Sequence, residues 1–190
     1  MRAMLKQLTF VVLALMAATV MAGELADKLK LPNHALLMRH ALAPGTGDPA
    51  GYSLTDCSTQ RNLDEQGRQQ ATLTGQWLKR QGIQKAMVLT SPWCRCKDTA
   101  NLLGFGSPEI ELAIGSFFEA SQEAASYTQR LQKRLAQLGP TKGDKALILV
   151  THHVNILDYM GSHVGSGDMV LVQFDTQGKL ISAKRYPSPL

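Results

Sequence analysis

The sequence predicts an α/β fold: a three-layer sandwich in which a mostly parallel central sheet carries helices on both faces. Short apolar runs alternate along the chain with segments of helical period, the pattern of a parallel sheet covered on both sides. The run 146–150 contains no polar residue, as expected for a central strand that is buried on both faces. A hydrophobic fraction of 44% and a charged fraction of 18% are typical of a globular core, and they exclude a disordered or collagen-like chain.

The first half of the domain is placed by its apolar runs and turn residues. The pattern predicts a buried strand over 34–38, a loop over 43–59, a helix from Asp64 to near Gly82, a strand over 85–90, and a helix ending near Leu103 with Pro92 in its first turn. The loop contains three glycines, two prolines and several Ser, Thr and Asp residues, all of which favour turns. Proline suits the first turn of a helix because it lacks an N–H group.

The second half continues the alternation and ends in a hairpin. The pattern predicts a short strand over 110–114, a helix over 122–138, a strand over 146–151, a helix from about Asn155, and two strands over 169–175 and 179–185. The helix over 122–138 has leucines on one face and is ended by Gly139-Pro140.

The N-terminus has the pattern of a secretory signal peptide. Arg2 and Lys6 precede an almost wholly apolar run over 8–22, and small residues lie before an expected cleavage site at Gly23. A retained membrane anchor is the alternative, but the run is shorter than the roughly 20 residues that span a bilayer comfortably. We therefore expect residues 1–22 to be a signal peptide, 23–190 to be one domain, and the mature chain to be secreted or periplasmic with no stable membrane insertion.

Export changes the interpretation of the three cysteines, because disulfides form in oxidising compartments. Cys57 lies in the polar loop, whereas Cys94 and Cys96 flank Arg95. A bond between Cys94 and Cys96 would be awkward on a helix, where residues two apart point to different sides. We expect Cys57 to pair with Cys94 or Cys96, leaving one thiol free. No Cys-x-x-Cys or His-x-x-x-His spacing offers a zinc site, so we expect no metal.

Three predicted strands end in basic or imidazole side chains. Arg39-His40 follows the first strand, Ser91 to Arg95 follows the second, and His152-His153 follows the strand over 146–151. Ligands of such sheets collect at the carboxyl ends of the strands, so we expect these groups to share one crevice. One guanidinium group can bind two phosphate oxygens at once, and a neutral imidazole can attack phosphorus. The sequence therefore predicts a receptor for a dianion.

Four segments carry a resemblance to a known family. They are Leu37-Met-Arg-His-Ala41, Asn62-Leu-Asp-Glu-Gln-Gly67 followed by Ala71, Ser91-Pro-x-x-Arg95-x-x-x-Thr99-Ala100, and Val150-Thr-His152. In this order they resemble the histidine phosphatase superfamily, in its phosphoglycerate mutase-like branch, over residues 35 to about 156. The family usually has Arg-His-Gly where this chain has Ala41, a small exchange that leaves the chemistry intact.

The resemblance implies a role for each site residue. His40 is the expected nucleophile, and Arg39 and Arg95 are expected to bind the phosphoryl group. His152 is expected to complete the pocket because the family's histidine directly follows the strand and a small polar residue; His153 is the alternative. The family's general acid lies after the mid-chain strand, which favours Glu119. Two further candidates for the acid are Glu109 and Glu123.

These expectations combine into an exported phosphatase that hydrolyses a small phosphomonoester through a phosphohistidine, with no cofactor. The alternative is an anion-binding module of the same fold that has lost turnover. Nucleic acid is not an expected partner: the formal charge is +5, but Arg2 and Lys6 contribute two of these charges, and the rest form no basic run. The substrate and the oligomeric state stay open.

Overall fold

A computed structural model describes residues 23–190, so the expected signal peptide over 1–22 lies outside the described part. Residues 23–30 form the first helix, α1. The other elements, in chain order, are β1 (His34–Arg39), α2 (Glu65–Arg80), β2 (Ala86–Thr90), α3 (Cys94–Leu102), β3 (Glu109–Ile110), α4 (Ala124–Leu138), β4 (Ala146–Thr151), α5 (His153–Met160), β5 (Met169–Phe174) and β6 (Leu180–Tyr186). Within residues 23–190, no helix combines the length and apolar character that crossing a bilayer requires.

The six strands form one sheet in the order β3-β2-β4-β1-β5-β6. The first four are parallel to one another, while β5 pairs with β1 and β6 with β5 in antiparallel fashion. All six residues of β4 are buried, as the apolar run requires of a strand with a layer on each side. The mostly parallel α/β sheet expected from the sequence is confirmed.

Two hydrophobic cores lie on the two faces of the sheet, because successive strand residues point to opposite faces. Leu36 and Ile148 belong to one core, which includes buried residues of α1, α2 and α3. Leu37 and Leu149 belong to the other, which includes buried residues of α4 and α5. Helices therefore cover both faces, as expected for the three-layer sandwich.

Several boundaries differ from the sequence expectation. Pro92 is not in the first turn of α3: that helix begins at Cys94, whose backbone N–H donates to the side-chain oxygen Oε1 of Gln60 at 2.9 Å. The acceptor comes from a remote loop, so no local sequence signal marks this start. The expected strand over 110–114 is limited to Glu109–Ile110, since the chain turns into a 3₁₀ helix directly afterwards. The last helix begins at His153, two residues before the expected start.

Two glycines allow α2 to lie against the backbone of neighbouring segments. A Cβ atom on Gly75 would lie 2.2 Å from the carbonyl oxygen of Leu103, and one on Gly67 would lie 1.9 Å from that of Leu42. Both carbonyl oxygens belong to the backbone and cannot rotate away as a side-chain end can. A methyl group at either position would therefore push α2 away from the neighbouring segment. The helix therefore needs glycine here for its packing.

We predict that Gly75→Ala destabilises the protein by about 1–3 kcal/mol, the usual cost of overpacking a close contact. Helix propensity alone predicts the opposite sign, because alanine in a helix interior is favoured over glycine by about 1 kcal/mol. Urea unfolding measures the difference. The control is Gln76→Ala at the neighbouring exposed position, which should change stability by no more than about 0.5 kcal/mol. A Gly75→Ala protein as stable as the wild type would contradict the packing argument.

Candidate active site

A cavity of about 200 Å³ opens at the carboxyl ends of β1, β2 and β4. Its wall contains all five of the residues assigned from the sequence: Arg39, His40, Arg95, Glu119 and His152. The alternative histidine, His153, also lies in the wall. The two other candidate acids, Glu109 and Glu123, are exposed residues that do not line the cavity. The fold thus brings the expected groups together and leaves Glu119 as the candidate acid within reach.

His40 is held with one ring nitrogen free for chemistry. Its backbone N–H donates to the carbonyl of Thr151 at 2.9 Å, which extends the pairing of β1 with β4 by one residue. Its Nδ1 lies 2.7 Å from the carbonyl oxygen of Ala41. A carbonyl can only accept, so Nδ1 carries the proton and Nε2 of the neutral ring has a lone pair.

The surroundings of His40 favour that neutral ring. Burial lowers its pKa well below the usual value, and the positive charges of Arg95, Arg39 and Arg61 lower the pKa further. The hydrogen bond to Ala41 acts in the opposite direction but does not outweigh them. His40 is therefore neutral at neutral pH, the state in which an imidazole is a nucleophile.

Two hydrogen bonds of Thr99 give a physical reason for its spacing from Arg95 in the third sequence segment. Its hydroxyl donates to the carbonyl of Arg95, one helical turn earlier, at 2.7 Å. The same oxygen accepts the backbone N–H of Ala41 at 3.0 Å. The chain that leaves β1 after His40 is thereby attached to the first turns of α3, which fixes His40 relative to Arg95.

His152 is the fully buried member of the histidine pair. Its Nε2 lies 2.8 Å from the hydroxyl of Ser91, and its ring meets that of His40 edge to face with centroids 5.5 Å apart. Burial lowers its pKa well below the usual value, with smaller contributions from His40 and Arg95. When Ser91 donates to Nε2, the ring proton is on Nδ1. His152 then lines the cavity as a neutral ring.

The structure also places His153, the alternative to His152, in the cavity wall. It is half-buried, and its ring lies 5.9 Å from that of Phe118 in a tilted arrangement. Burial lowers its pKa, and the charge of Arg39 lowers it further. Both histidines of the pair therefore face the same cavity, His152 from its depth and His153 beside the exposed Phe118.

Two charged residues of the cavity wall were not predicted from the sequence. Asp48 accepts hydrogen bonds from both terminal nitrogens of Arg95, at 2.8 and 3.1 Å. Arg61 donates from Nε to the carbonyl of Gly47 at 2.8 Å and from Nη1 to the carbonyl of Ala43. Two signals could have indicated them: the glycines over 45–51, a few residues after Arg39-His40, and an arginine directly before the segment that begins at Asn62.

The loop that carries these residues is attached covalently to α3. Cys57 is bonded to Cys94, with their Cα atoms 5.7 Å apart, which is one of the two pairings expected. Cys96 is the free thiol; it is buried, and burial raises its pKa to about 12. The bond joins the 43–62 loop to the residue directly before Arg95. Among residues 23–190, no group of three or more His, Cys, Asp or Glu side chains is arranged to hold a metal ion.

The chain matches the family model described as histidine phosphatase superfamily (branch 1) over residues 35–115. That range contains three of the four segments identified in the sequence. No curated protein sequence matches the chain significantly.

Solved structures of the same fold include several phosphatases. The chain is similar to the protein histidine phosphatase SixA complexed with tungstate (18% identity, TM-score 0.57, 82% of this chain and 97% of that one). It is similar to the phosphoserine phosphatase of Entamoeba histolytica in complex with 3-phosphoglyceric acid (16% identity, TM-score 0.59, 83% of this chain and 99% of that one). It also resembles a mycobacterial glucosyl-3-phosphoglycerate phosphatase (14% identity, TM-score 0.57, 74% of this chain and 92% of that one). At these identities the likeness is one of fold.

We predict that the ring of His40 stays neutral at pH 6.5, where an unperturbed histidine would be about half protonated. The lowered pKa follows from burial and from the nearby arginines. Nitrogen NMR of the labelled ring should show one protonated nitrogen, Nδ1, at and below this pH. The variant Arg61→Met removes one of the positive charges and should move the pKa upward. A ring titrating at or above pH 6.5 in the wild type would contradict the assignment.

Proposed function

Because residues 35–115 match the family model of the histidine phosphatase superfamily, we propose that the chain hydrolyses a small phosphomonoester through a phosphohistidine formed on His40. The observation that carries this proposal is the state of His40: a buried neutral imidazole with Nδ1 bonded to the Ala41 carbonyl and Nε2 unprotonated, in a cavity with three arginines. The cavity is smaller than the 300 Å³ or more usual for drug-sized ligands, which favours a small substrate.

In the first half of the reaction, Nε2 of His40 attacks phosphorus. A nitrogen–phosphorus bond forms as the bond from phosphorus to the ester oxygen breaks. The positive charge that develops on the ring is stabilised by the Nδ1–H bond to the Ala41 carbonyl. Arg39 and Arg95 bind the phosphoryl oxygens and neutralise their charge in the transition state.

The leaving oxygen takes a proton from Glu119, which is exposed and borders the cavity. In the second half, water attacks the phosphohistidine and gives its proton to the same carboxylate. The nitrogen–phosphorus bond breaks, inorganic phosphate leaves, and both His40 and Glu119 return to their starting states. His152 donates a hydrogen bond to the phosphoryl group throughout, as a neutral ring bonded to Ser91.

We propose that this reaction takes place outside the cytoplasm. The basic and apolar pattern of residues 1–22 is that of a cleaved signal peptide. The disulfide between Cys57 and Cys94 supports the same location, because such bonds persist mainly in oxidising compartments.

We predict that rapid quenching of the enzyme during turnover of radiolabelled p-nitrophenyl phosphate traps a phosphoprotein that is acid-labile and base-stable. The variant His40→Asn should give no label, since it lacks the nucleophile. The matched control is His163→Asn, an exposed histidine outside the cavity, which should label like the wild type. Tight phosphate binding with neither label nor nitrophenol release between about pH 4 and 8 would instead establish an anion-binding module.

We predict that Glu119→Gln slows phosphoenzyme formation from an alkyl ester such as glycerol phosphate by about 10²- to 10⁴-fold, the usual contribution of a general acid. The burst of nitrophenol from p-nitrophenyl phosphate should persist, because nitrophenolate leaves without a proton. Quenched-flow measurement separates the two substrates. Glu123→Gln, at an exposed position outside the cavity, is the control and should match the wild type with both. Equal losses with both esters would exclude Glu119 as the acid.

A further inference from the structure

We propose that Asp48 is a positioning residue for Arg95: its carboxylate takes the end-on edge of the guanidinium, so that the side-on edge is presented to the bound phosphoryl group. The end-on edge consists of Nη1 and Nη2, and the side-on edge of Nε and Nη2. This inference rests on the proposed function, because it concerns the residue assigned there to phosphoryl binding.

The donors of Arg95 divide accordingly. Nη1 donates to Asp48 at 2.8 Å and to the carbonyl of Arg61 at 3.3 Å, and Nη2 donates to Asp48 at 3.1 Å. Nε is buried and has no partner. A guanidinium has five N–H donors, so the side-on edge still holds two: the Nε–H and the second hydrogen of Nη2. These are the donors that a phosphoryl oxygen pair would accept.

An unpaired donor of this kind occurs twice in the cavity wall. Nε of Arg39 is also buried without a partner, while Nη1 of the same residue donates to the carbonyl of Val164 at 3.0 Å. A buried N–H group that is left unpaired loses its hydration without compensation, so native proteins rarely contain one without reason. Two such groups, on two of the three arginines that line the cavity, indicate an anionic ligand that accepts from both.

Asp48 is itself firmly held in this arrangement. Its carboxylate also accepts the backbone N–H of Arg61 at 3.0 Å and the indole N–H of Trp93 at 3.1 Å, and only 5% of its side chain is exposed. Burial alone would raise its pKa, but the hydrogen bonds from Arg95 and from Arg61 outweigh burial and lower it. Asp48 therefore stays ionised and keeps its partner oriented.

These contacts argue against a different role, in which Asp48 occupies the phosphate position and must leave when substrate enters. If Asp48 moved away, the backbone N–H of Arg61, the indole N–H of Trp93 and the end-on edge of Arg95 would all lose their hydrogen-bond acceptor. The Cys57–Cys94 bond further restricts movement of the loop, since it attaches this loop next to Arg95. Asp48 is thus a fixed part of the wall that sets the direction of the guanidinium.

The test measures binding of inorganic phosphate by titration calorimetry, which needs no turnover. Asp48→Asn keeps the shape but offers a single acceptor, and we expect phosphate affinity to fall about tenfold or more, as for other residues that orient a ligand-binding group. Asp98→Asn is the matched control: it also removes an Asp–Arg pair of α3, with Arg68, but lies outside the cavity. Its phosphate affinity should equal that of the wild type.

A double-mutant cycle with Arg95→Lys shows whether Asp48 acts through Arg95. Lysine has no planar fork for the carboxylate to orient, so Asp48→Asn should cause little further loss in the Arg95→Lys background. Additive losses of affinity in the double mutant would overturn the proposal. An unchanged phosphate affinity of Asp48→Asn would overturn it as well. So would an increased affinity, which is the result expected if Asp48 competes with phosphate for Arg95.

One further variant covers the case in which Asp48→Asn fails to fold. Asp48→Glu keeps the charge but moves the carboxylate by one methylene, and it should also weaken phosphate binding; wild-type affinity would show that charge alone matters and would overturn the positioning role. Failure of the proposed function is recognised separately. In that case the variants show these binding differences, while the wild type forms no phosphohistidine.

Discussion

The parallel pairing of β1 with β4 is the constraint on which the site depends. It places Arg39 opposite Thr151, and the His40 N–H donates to the Thr151 carbonyl, so the residues that follow both strands leave the sheet at the same level. His40 and His152 are 112 residues apart in the sequence, yet their ring centroids lie 5.5 Å apart. The proposed nucleophile and its neighbour are therefore brought together by backbone hydrogen bonds of the central sheet.

The electrostatics of the cavity follow from the same burial. A buried imidazole loses hydration when charged, and the arginines around it make protonation less favourable still, so His40 and His152 are both held neutral. The arginines keep their charge, because guanidinium remains protonated in proteins. In the proposed reaction, one set of positive charges thus has two effects: it attracts a phosphoryl dianion, and it keeps the lone pair of the attacking nitrogen free.

The fold and the strand-end residues could be predicted because they depend on local patterns. The apolar run of β4 indicates a buried central strand, and strand ends of a parallel sheet share an edge, which places Arg39-His40 and His152 together. Asp48 and Arg61 could not be found this way. Their positions depend on a loop whose conformation is set by contacts with Arg95 and Trp93, more than 40 residues after Asp48, and by carbonyl groups within the loop itself. Composition identifies such a segment as a loop but not which side chain returns to the cavity.

The loop and the start of α3 form one unit that gives Arg95 its orientation. The Cys57–Cys94 bond fixes the backbone directly before Arg95, and the Gln60 side chain caps the same helix end. Thr99 then connects the next turn of the helix to the backbone N–H of Ala41. The carbonyl of Ala41 in turn accepts a hydrogen bond from Nδ1 of His40. Every link in this chain of contacts is a covalent bond or a hydrogen bond. The proposed nucleophile His40 and the proposed phosphoryl-binding Arg95 are therefore fixed relative to each other by the fold.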